Sequence, residues 1–231
     1  VVGKPHSIVA LVGQRRPVRR WACLALMLGL GLMLMLALRS SFAVLPLVLV
    51  SCGLGYLYQG PPFRLGYRGW GEPICWLAFG PFATAAALLV LAPSDQAAVP
   101  WGLALMLGSG PALATSLVLF CSHFHQLEED AAHGKCSPVV RLGTAKAASL
   151  VPWFVAGTLA LEWVPVVHGD WPLTALFGAI GLPAAAALIR LLRDHHAEPD
   201  RIAGSKFLAL RFQTLNGLGL SAGLALGPLL S

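Results

Sequence analysis

The chain has 231 residues, of which 57% are hydrophobic and only 11% are charged, and its formal net charge is +6. Soluble domains carry about 25% charged residues, so this composition excludes an ordinary water-soluble protein. The basic residues flank apolar stretches instead of forming one surface, which argues against nucleic-acid binding. The composition is that of a protein embedded in a lipid bilayer.

Apolar stretches of nearly membrane-spanning length recur along the whole chain. A helix needs roughly 20 residues to cross a hydrocarbon core of ~30 Å, and no barrel-like alternation of apolar and polar residues is visible. We therefore predict an all-α, polytopic transmembrane bundle of about seven helices, in one membrane-embedded domain over residues 1–231. The predicted spans are Trp21–Leu38, Phe42–Tyr58, Pro73–Ala92, Trp101–Phe120, Ala147–Val167, Pro172–Leu192 and Phe207–Leu230.

The positions of the basic residues predict the orientation of these spans. If the spans alternate, fifteen of the sixteen lysines and arginines lie on one side, and only Arg39 lies opposite. The positive-inside rule assigns that side to the cytoplasm. The predicted cytoplasmic segments are Val1–Arg20, Gln59–Glu72, Cys121–Lys146 and Arg190–Lys206, with Arg211 just inside the last helix.

The loop Gly55–Glu72, GYLYQGPPFRLGYRGWGE, is rich in aromatic and basic residues. One interpretation is an interfacial aromatic belt with basic residues that anchor the topology. The other is that Arg64 or Arg68 binds an anion at the membrane surface while Tyr67 borders an apolar ligand. The composition of this loop alone does not choose between them.

The loop Cys121–Gly143 concentrates acids, histidines and cations between two apolar spans. If a helix extends the fourth span, Gln126 and Asp130 at positions i and i+4 face one direction, with Glu129 close by. Such oxygen donors suit Mg²⁺, which binds a few carboxylates together with substrate phosphates. Lys135 and Arg141 follow as candidate phosphate ligands. The alternative is a solvated acidic turn.

The histidines of this loop allow a second kind of site. His125 and Glu129 align at i and i+4 on a helix, so a transition-metal site is an alternative to magnesium. The five cysteines have no CxxC spacing and indicate neither a zinc site nor a disulfide framework. We favour a role for His125 in orienting a carboxylate or contacting a substrate, and we predict that His133 is exposed.

The succession YLYQGPPFRLGYRGWGE and HFHQLEEDAAHGKCSPVVRLGT resembles the UbiA-type intramembrane prenyltransferases. Within that family it is most similar to the branch that attaches phytyl or another polyprenyl chain to a naphthoate ring in phylloquinone and menaquinone (vitamin K) biosynthesis. The resemblance covers nearly the whole chain.

The resemblance implies a nine-helix fold with two acidic motifs on the cytoplasmic side. Gln126 occupies the first acidic position of the second motif and Asp130 occupies its last. The first motif belongs before Gly3–Arg16 and is absent from this sequence. We therefore expect the chain to correspond to the last seven helices and, by itself, to transfer prenyl groups poorly or not at all.

The chemistry that the resemblance implies is transfer of the prenyl group of a diphosphate to a naphthoate acceptor with Mg²⁺ as cofactor. Asp130, Glu129 and Gln126 would be the catalytic, metal-binding residues. Arg64, Tyr67, Arg68, His123, His125, Lys135 and Arg141 would bind substrate. The membrane would be the cell inner or thylakoid membrane, with the site facing the cytoplasm. Alternatives are a related transferase with another aromatic acceptor and an ion or small-solute transporter.

Overall fold

The computed structural model describes residues 12–13, 15–91 and 98–230. Within those residues all regular structure is helical, which confirms the predicted all-α class. The physical reason is that a helix satisfies its own backbone hydrogen bonds where lipid offers none.

The helices follow one another with short connections. The α-helices are α1 (Arg15–Arg39), α2 (Val44–Gln59), α3 (Gly71–Leu77), α4 (Ala83–Leu91), α5 (Trp101–Ser122), α6 (Leu127–Ala132), α7 (Pro138–Leu142), α8 (Thr144–Val167), α9 (Leu182–His195), α10 (Pro199–Ile202) and α11 (Ser205–Leu230). Two 3₁₀ helices cover Leu65–Arg68 and Leu173–Gly181, and a π-helical turn covers Ala78–Phe82.

Each of the seven predicted spans corresponds to a helical segment. Five of these segments are long and apolar enough to cross a membrane: Arg16–Arg39, Gly71–Leu91, Trp101–Ser122, Thr144–Val167 and Leu173–His195. The second span is the shorter apolar helix α2, with 16 residues. The seventh is α11, with 26 residues.

Two spans depart from regular α-helix. Pro81 lies inside the third span, where the missing N–H and the bulky ring are accommodated by the π-helical turn between α3 and α4. The sixth span begins as a 3₁₀ helix, which its apolar pattern did not predict. There Gly181 lies so close to α11 that a Cβ atom would be 2.9 Å from the carbonyl oxygen of Phe212.

The chain divides into two compact units, and the first comprises Val1–Val50 with Ala86–Val99. In this unit α1 exposes large apolar side chains, as expected of a helix that faces lipid. They include Trp21, Leu24, Leu26, Met27, Leu28, Leu32 and Leu38.

The second unit comprises Ser51–Ala85 with Pro100–Ser231. It contains the whole of both polar loops, Gly55–Glu72 and Cys121–Gly143. Its core is built by α5, α8, α9 and α11 around buried side chains such as Phe120, Phe124, Leu188 and Phe212. Helix α5 packs against α3, α8 and α11. It thereby places the start of the third span next to the loop that follows α5.

Candidate active site

The two polar loops of the second unit are joined by backbone and side-chain hydrogen bonds. The backbone N–H of Cys136 donates to the carbonyl oxygen of Tyr67 at 2.7 Å, and Arg141 Nη2 donates to the carbonyl oxygen of Arg68 at 2.6 Å. Gly69 lies at φ +80°, and a Cβ atom there would be 2.9 Å from the carbonyl oxygen of Cys136. A glycine is therefore required at this junction.

Local sequence signals shape the second loop. Gly134, at φ +69°, follows the short helix α6 and reverses the chain. Ser137 caps α7 by accepting a hydrogen bond from the Val140 N–H at 3.4 Å, and Pro138 occupies its first turn. The cap and the proline start α7 so that Arg141 faces the first loop.

Asp130 is the centre of a buried ionic network. Its side chain is completely buried, and its Oδ2 lies 3.1 Å from Lys135 Nζ and 3.1 Å from His123 Nδ1. Lys135 Nζ also lies 3.3 Å from His123 Nδ1. A carboxylate without solvent needs such partners, because an uncompensated buried charge is strongly destabilising.

Glu72 extends the network from the other loop, and the sequence reasoning missed it. Its Oε1 lies 3.3 Å from His123 Nε2, although the contact lacks the geometry of a hydrogen bond. Both carboxylate oxygens are buried, and within the described ranges no group donates a hydrogen bond to them. Glu72 lies in the first turn of α3, where the helix dipole favours a negative charge.

The four side chains form one continuous set of contacts. Nδ1 of His123 faces Asp130 Oδ2 and Lys135 Nζ, and its Nε2 faces Glu72 Oε1. His123 thus bridges a carboxylate on each loop. We name Glu72, His123, Asp130 and Lys135 the acidic network.

Next to the acidic network, three arginines line an open cavity of about 310 Å³. Arg64, Arg68 and Arg141 are exposed, and none of the described residues that line the cavity is a carboxylate. In the described part of the chain none of the three forms an ion pair, and Arg64 lies 5.9 Å from the centre of the Tyr67 ring. The other lining residues are Pro62, Phe63, Tyr67, His133, Gly134 and Cys136. We name this the arginine cavity.

Seven of the site residues predicted from the sequence belong to either the acidic network or the arginine cavity. The acidic network contains Asp130, His123 and Lys135, whereas the arginine cavity contains Arg64, Tyr67, Arg68 and Arg141. Lys135 is therefore paired with Asp130 and does not join the arginines.

Gln126, Glu129 and His125 lie outside both groups and are half-buried. The expectation that a helix extends the fourth span through these positions is wrong. Helix α5 ends at Ser122, a turn follows, and Asp130 belongs to the separate helix α6. Burial, and next the positive charge of Lys206, lower the pKa of His125. Its buried Nδ1 has no hydrogen-bond partner in the part of the chain that the structure describes.

The donor set around Asp130 does not fit a metal ion as it stands. Lys135 and His123 occupy the space beside Oδ2 that a cation would need. Among the described residues no group of three or more histidines, cysteines and acids converges on a metal position.

Two residues of the candidate site, Glu72 and His133, carry a signal in the sequence. Glu72 is the first acid in the sequence and lies at the start of a membrane span. A charged side chain at such a boundary costs free energy, and its presence there therefore indicates a function. His133 was predicted to be exposed; it is exposed, and it also lines the arginine cavity. Its neighbour Gly134 marks the turn that brings it there.

Comparison with known proteins identifies the family. The model of the UbiA prenyltransferase family matches residues 6–225. The chain belongs to the UbiA prenyltransferase family. This membership confirms the resemblance and, with the long apolar helices, makes the protein an integral multi-pass membrane protein of a transferase family. It decides against the transporter alternative.

Members with assigned names are similar over nearly the whole chain. A 2-carboxy-1,4-naphthoquinone phytyltransferase from Synechocystis sp. is 40% identical over 223 residues, which are 96% of this chain and 71% of that protein. The chloroplastic 2-carboxy-1,4-naphthoquinone phytyltransferase of Arabidopsis thaliana is 39% identical over 96% of this chain and 59% of its own length.

The name of a less similar relative specifies a different prenyl group, octaprenyl. The 1,4-dihydroxy-2-naphthoate octaprenyltransferase of Mycobacterium tuberculosis is 31% identical over 80% of this chain and 67% of that protein. No solved structure matches the chain.

Proposed function

We propose that this protein transfers a prenyl group, phytyl in the first instance, from its diphosphate to a naphthoate-type aromatic acid within a membrane. The observation that carries the proposal is the arginine cavity, because three cations without a carboxylate form a site for a multiply charged anion. The family membership and the names of the two phytyltransferase relatives supply the reaction class.

The arginine cavity binds the diphosphate of the donor in this proposal. A guanidinium presents parallel N–H donors to two phosphate oxygens, which a lysine ammonium does not. Arg68 and Arg141 come from different loops, and the hydrogen bond from Arg141 to the Arg68 carbonyl holds them together. The cavity is therefore preorganised before the anion arrives.

The bonds that break and form follow from the negative charge that develops on the departing diphosphate. The allylic C–O bond breaks and its electron pair leaves with the diphosphate, which the arginines stabilise. The electron-rich ring of the acceptor forms the new C–C bond, and the ring carboxylate leaves as carbon dioxide. The products are the prenylated ring, carbon dioxide and diphosphate.

The acidic network positions the loop that carries the cavity. Lys135 is held by Asp130, and its backbone N–H also donates to the Asp130 carbonyl oxygen at 2.8 Å. The next residue, Cys136, is bonded to Tyr67 in the first loop. The ionic contacts of Asp130 thus fix the chain on which His133 and Arg141 reach the cavity.

Mg²⁺ remains the proposed cofactor, since UbiA prenyltransferases generally use a divalent metal. Glu129 and Gln126 are half-buried oxygen donors beside the network, and they suit such an ion chemically. Asp130 would join them only after losing Lys135 or His123. The arginine chemistry above does not depend on the ion.

The proposed location is the cell inner membrane or a thylakoid membrane, with the site facing the cytoplasm. The basic residues of both site loops support this orientation. Exposed apolar side chains on the helices of the second unit, such as Phe79, Trp153 and Phe207, offer a lipid-facing surface for the long donor tail.

The experiment measures binding of inorganic pyrophosphate to the purified protein in detergent. Arg64→Gln removes one cavity charge without touching the bond between the loops, and Arg141→Gln removes both a charge and that bond. Arg190→Gln, an exposed arginine of α9, is the matched control. We expect about 10- to 100-fold weaker binding for the first two and unchanged binding for the control. Equal affinity in all three variants would contradict the proposed anion site.

A further inference from the structure

A second buried polar site lies inside the helix bundle, away from both loops. Glu162 of α8 and Asn216 of α11 are 1% and 0% exposed. Asn216 Nδ2 donates to Glu162 Oε2 at 2.8 Å and to the carbonyl oxygen of Gly178 at 3.2 Å. Nothing in the proposed prenyl transfer uses this pair.

Two oxygens of the pair have no hydrogen-bond partner among the residues that the structure describes. They are Glu162 Oε1 and Asn216 Oδ1, and both are fully buried. The orientation of the Asn216 amide is fixed by its neighbours, because exchanging Nδ2 and Oδ1 would place an acceptor against two other acceptors. With an ionised Glu162 both oxygens could only accept, so neither could satisfy the other.

The surrounding backbone packs tightly on the carboxyl group. A Cβ atom at Gly110 would be 2.6 Å from Glu162 Cγ, and one at Gly178 would be 3.0 Å from Glu162 Oε2. Helix α5 and the 3₁₀ helix Leu173–Gly181, which supply these glycines, contain no lysine or arginine. Lys206 and Arg211 of α11 lie at least five residues before Asn216 along the chain. In the described part of the chain, Glu162 forms no ion pair with a cation.

We propose that Glu162 binds one proton and forms a cyclic acid–amide pair with Asn216. The protonated Oε1 donates to Asn216 Oδ1, while Asn216 Nδ2 donates to Oε2, so all four polar groups are satisfied. A neutral acid also avoids the cost of a charge among apolar helices. The pair joins α8 to α11 and, through Gly178, to the 3₁₀ helix.

The competing occupant of the same two oxygens is a monovalent cation such as Na⁺. The variant Glu162→Gln separates the two, because a glutamine amide reproduces both hydrogen bonds of the protonated acid but removes the charge that a cation needs. The matched control is Glu198→Gln. Glu198 is exposed, and the hydrogen bond from His195 lowers its pKa, so it is ionised at neutral pH.

The measurement is infrared difference spectroscopy of the protein in detergent at neutral pH, with the unfolding temperature followed in parallel. Subtracting Glu162→Gln should remove a C=O stretch of a protonated carboxylic acid, whereas subtracting Glu198→Gln should remove carboxylate bands. We expect the unfolding temperature of Glu162→Gln to stay within about 3 °C of the unmodified protein, with or without Na⁺. A carboxylate band for Glu162, a Na⁺-dependent stability lost in Glu162→Gln, or failure of that variant to fold would overturn the proposal.

Discussion

The cations near the two loops divide into two kinds by what they contact. Lys135 forms an ion pair with Asp130 in a buried network. Arg64, Arg68 and Arg141 face an open cavity instead. A lysine is suited to the first position because it is a compact charge, and an arginine to the second because its planar fork matches phosphate oxygens. Substitutions at the two places should therefore affect different properties.

Asp130→Asn should reduce the rate of prenyl transfer by one to three orders of magnitude. The upper part of this range corresponds to the loss of one strong electrostatic contribution to the transition state, roughly 2.7–4 kcal/mol. The amide keeps the size of the side chain but leaves the buried Lys135 without its counter-charge. The check is transfer from phytyl diphosphate in membranes that contain equal amounts of inserted protein, expressed from the complete coding sequence. Asp200→Asn, at an exposed position of α10, serves as the control. Full activity in Asp130→Asn would remove this residue from the site.

Glu72→Gln tests whether the second carboxylate of the acidic network matters. The glutamine keeps the shape but removes the negative charge that faces His123 Nε2 at 3.3 Å. We expect roughly tenfold slower transfer, about 1.4 kcal/mol of barrier, and no change for Glu198→Gln. A rate equal to that of the control would show that the network ends functionally at His123.

The sequence located part of this site because its residues are adjacent along the chain. Asp130, Lys135 and His123 lie within one loop, so a search for acids and cations between apolar spans finds them together. Glu72 is 51 positions before His123, and only the packing of α3 against α5 brings them into contact. The separation of Lys135 from the arginines likewise depends on the turn at Gly134.

At the scale of elements, small residues decide how closely helices approach. Glycines on α11 lie against the 3₁₀ helix, where a Cβ atom at Gly219 would overlap the Phe177 carbonyl and one at Gly223 the Thr174 carbonyl. Membrane helices associate through such close packing, because lipid supplies little hydrophobic force between them.

Gly219→Ala should therefore destabilise the protein by about 1–3 kcal/mol, the usual cost of overpacking. Gly217→Ala is the matched control on the same helix, since a Cβ atom there has nothing within 4 Å. An alanine at that position should be neutral or stabilising by up to ~1 kcal/mol, owing to its better helix propensity. Thermal unfolding in detergent measures both, and equal stability of the two variants would contradict the described packing.

The length and composition of the apolar stretches predicted the existence and approximate limits of the spans, because the bilayer sets the length of a helix that crosses it. They did not predict the internal irregularities. The sixth span starts as a 3₁₀ helix where it packs against α11, and α5 ends at Ser122, next to the buried His123 of the acidic network. Both features lie at contacts between segments that are distant along the chain.

At the scale of the whole molecule, the charge distribution predicts the topology. Reporters fused after Leu57, Phe120 and Leu192 should be cytoplasmic, and those after Ala92 and Val167 should lie on the other side of the membrane. Arg39, the one cation predicted on that side, provides an internal reference. A reporter after Phe120 on the outer face would contradict both the topology and the proposed orientation of the site.

The predicted first acidic motif and the segment Gly3–Arg16 concern the start of the sequence, and residues 1–11 and 14 lie outside the described part. The arginine cavity and the acidic network belong wholly to the second unit, where the residues are described. The proposed function is therefore best tested through these two groups.

The most direct measurement is formation of the phytylated ring from labelled phytyl diphosphate and 1,4-dihydroxy-2-naphthoate, in membranes where the gene is expressed from its complete coding sequence. We predict product together with release of diphosphate and carbon dioxide in equal amounts, at least tenfold less product with Arg64→Gln or Asp130→Asn, and unchanged product with Arg190→Gln. Product formation that is indifferent to the first two substitutions, or no product from any prenyl diphosphate with correctly inserted protein, would contradict the account.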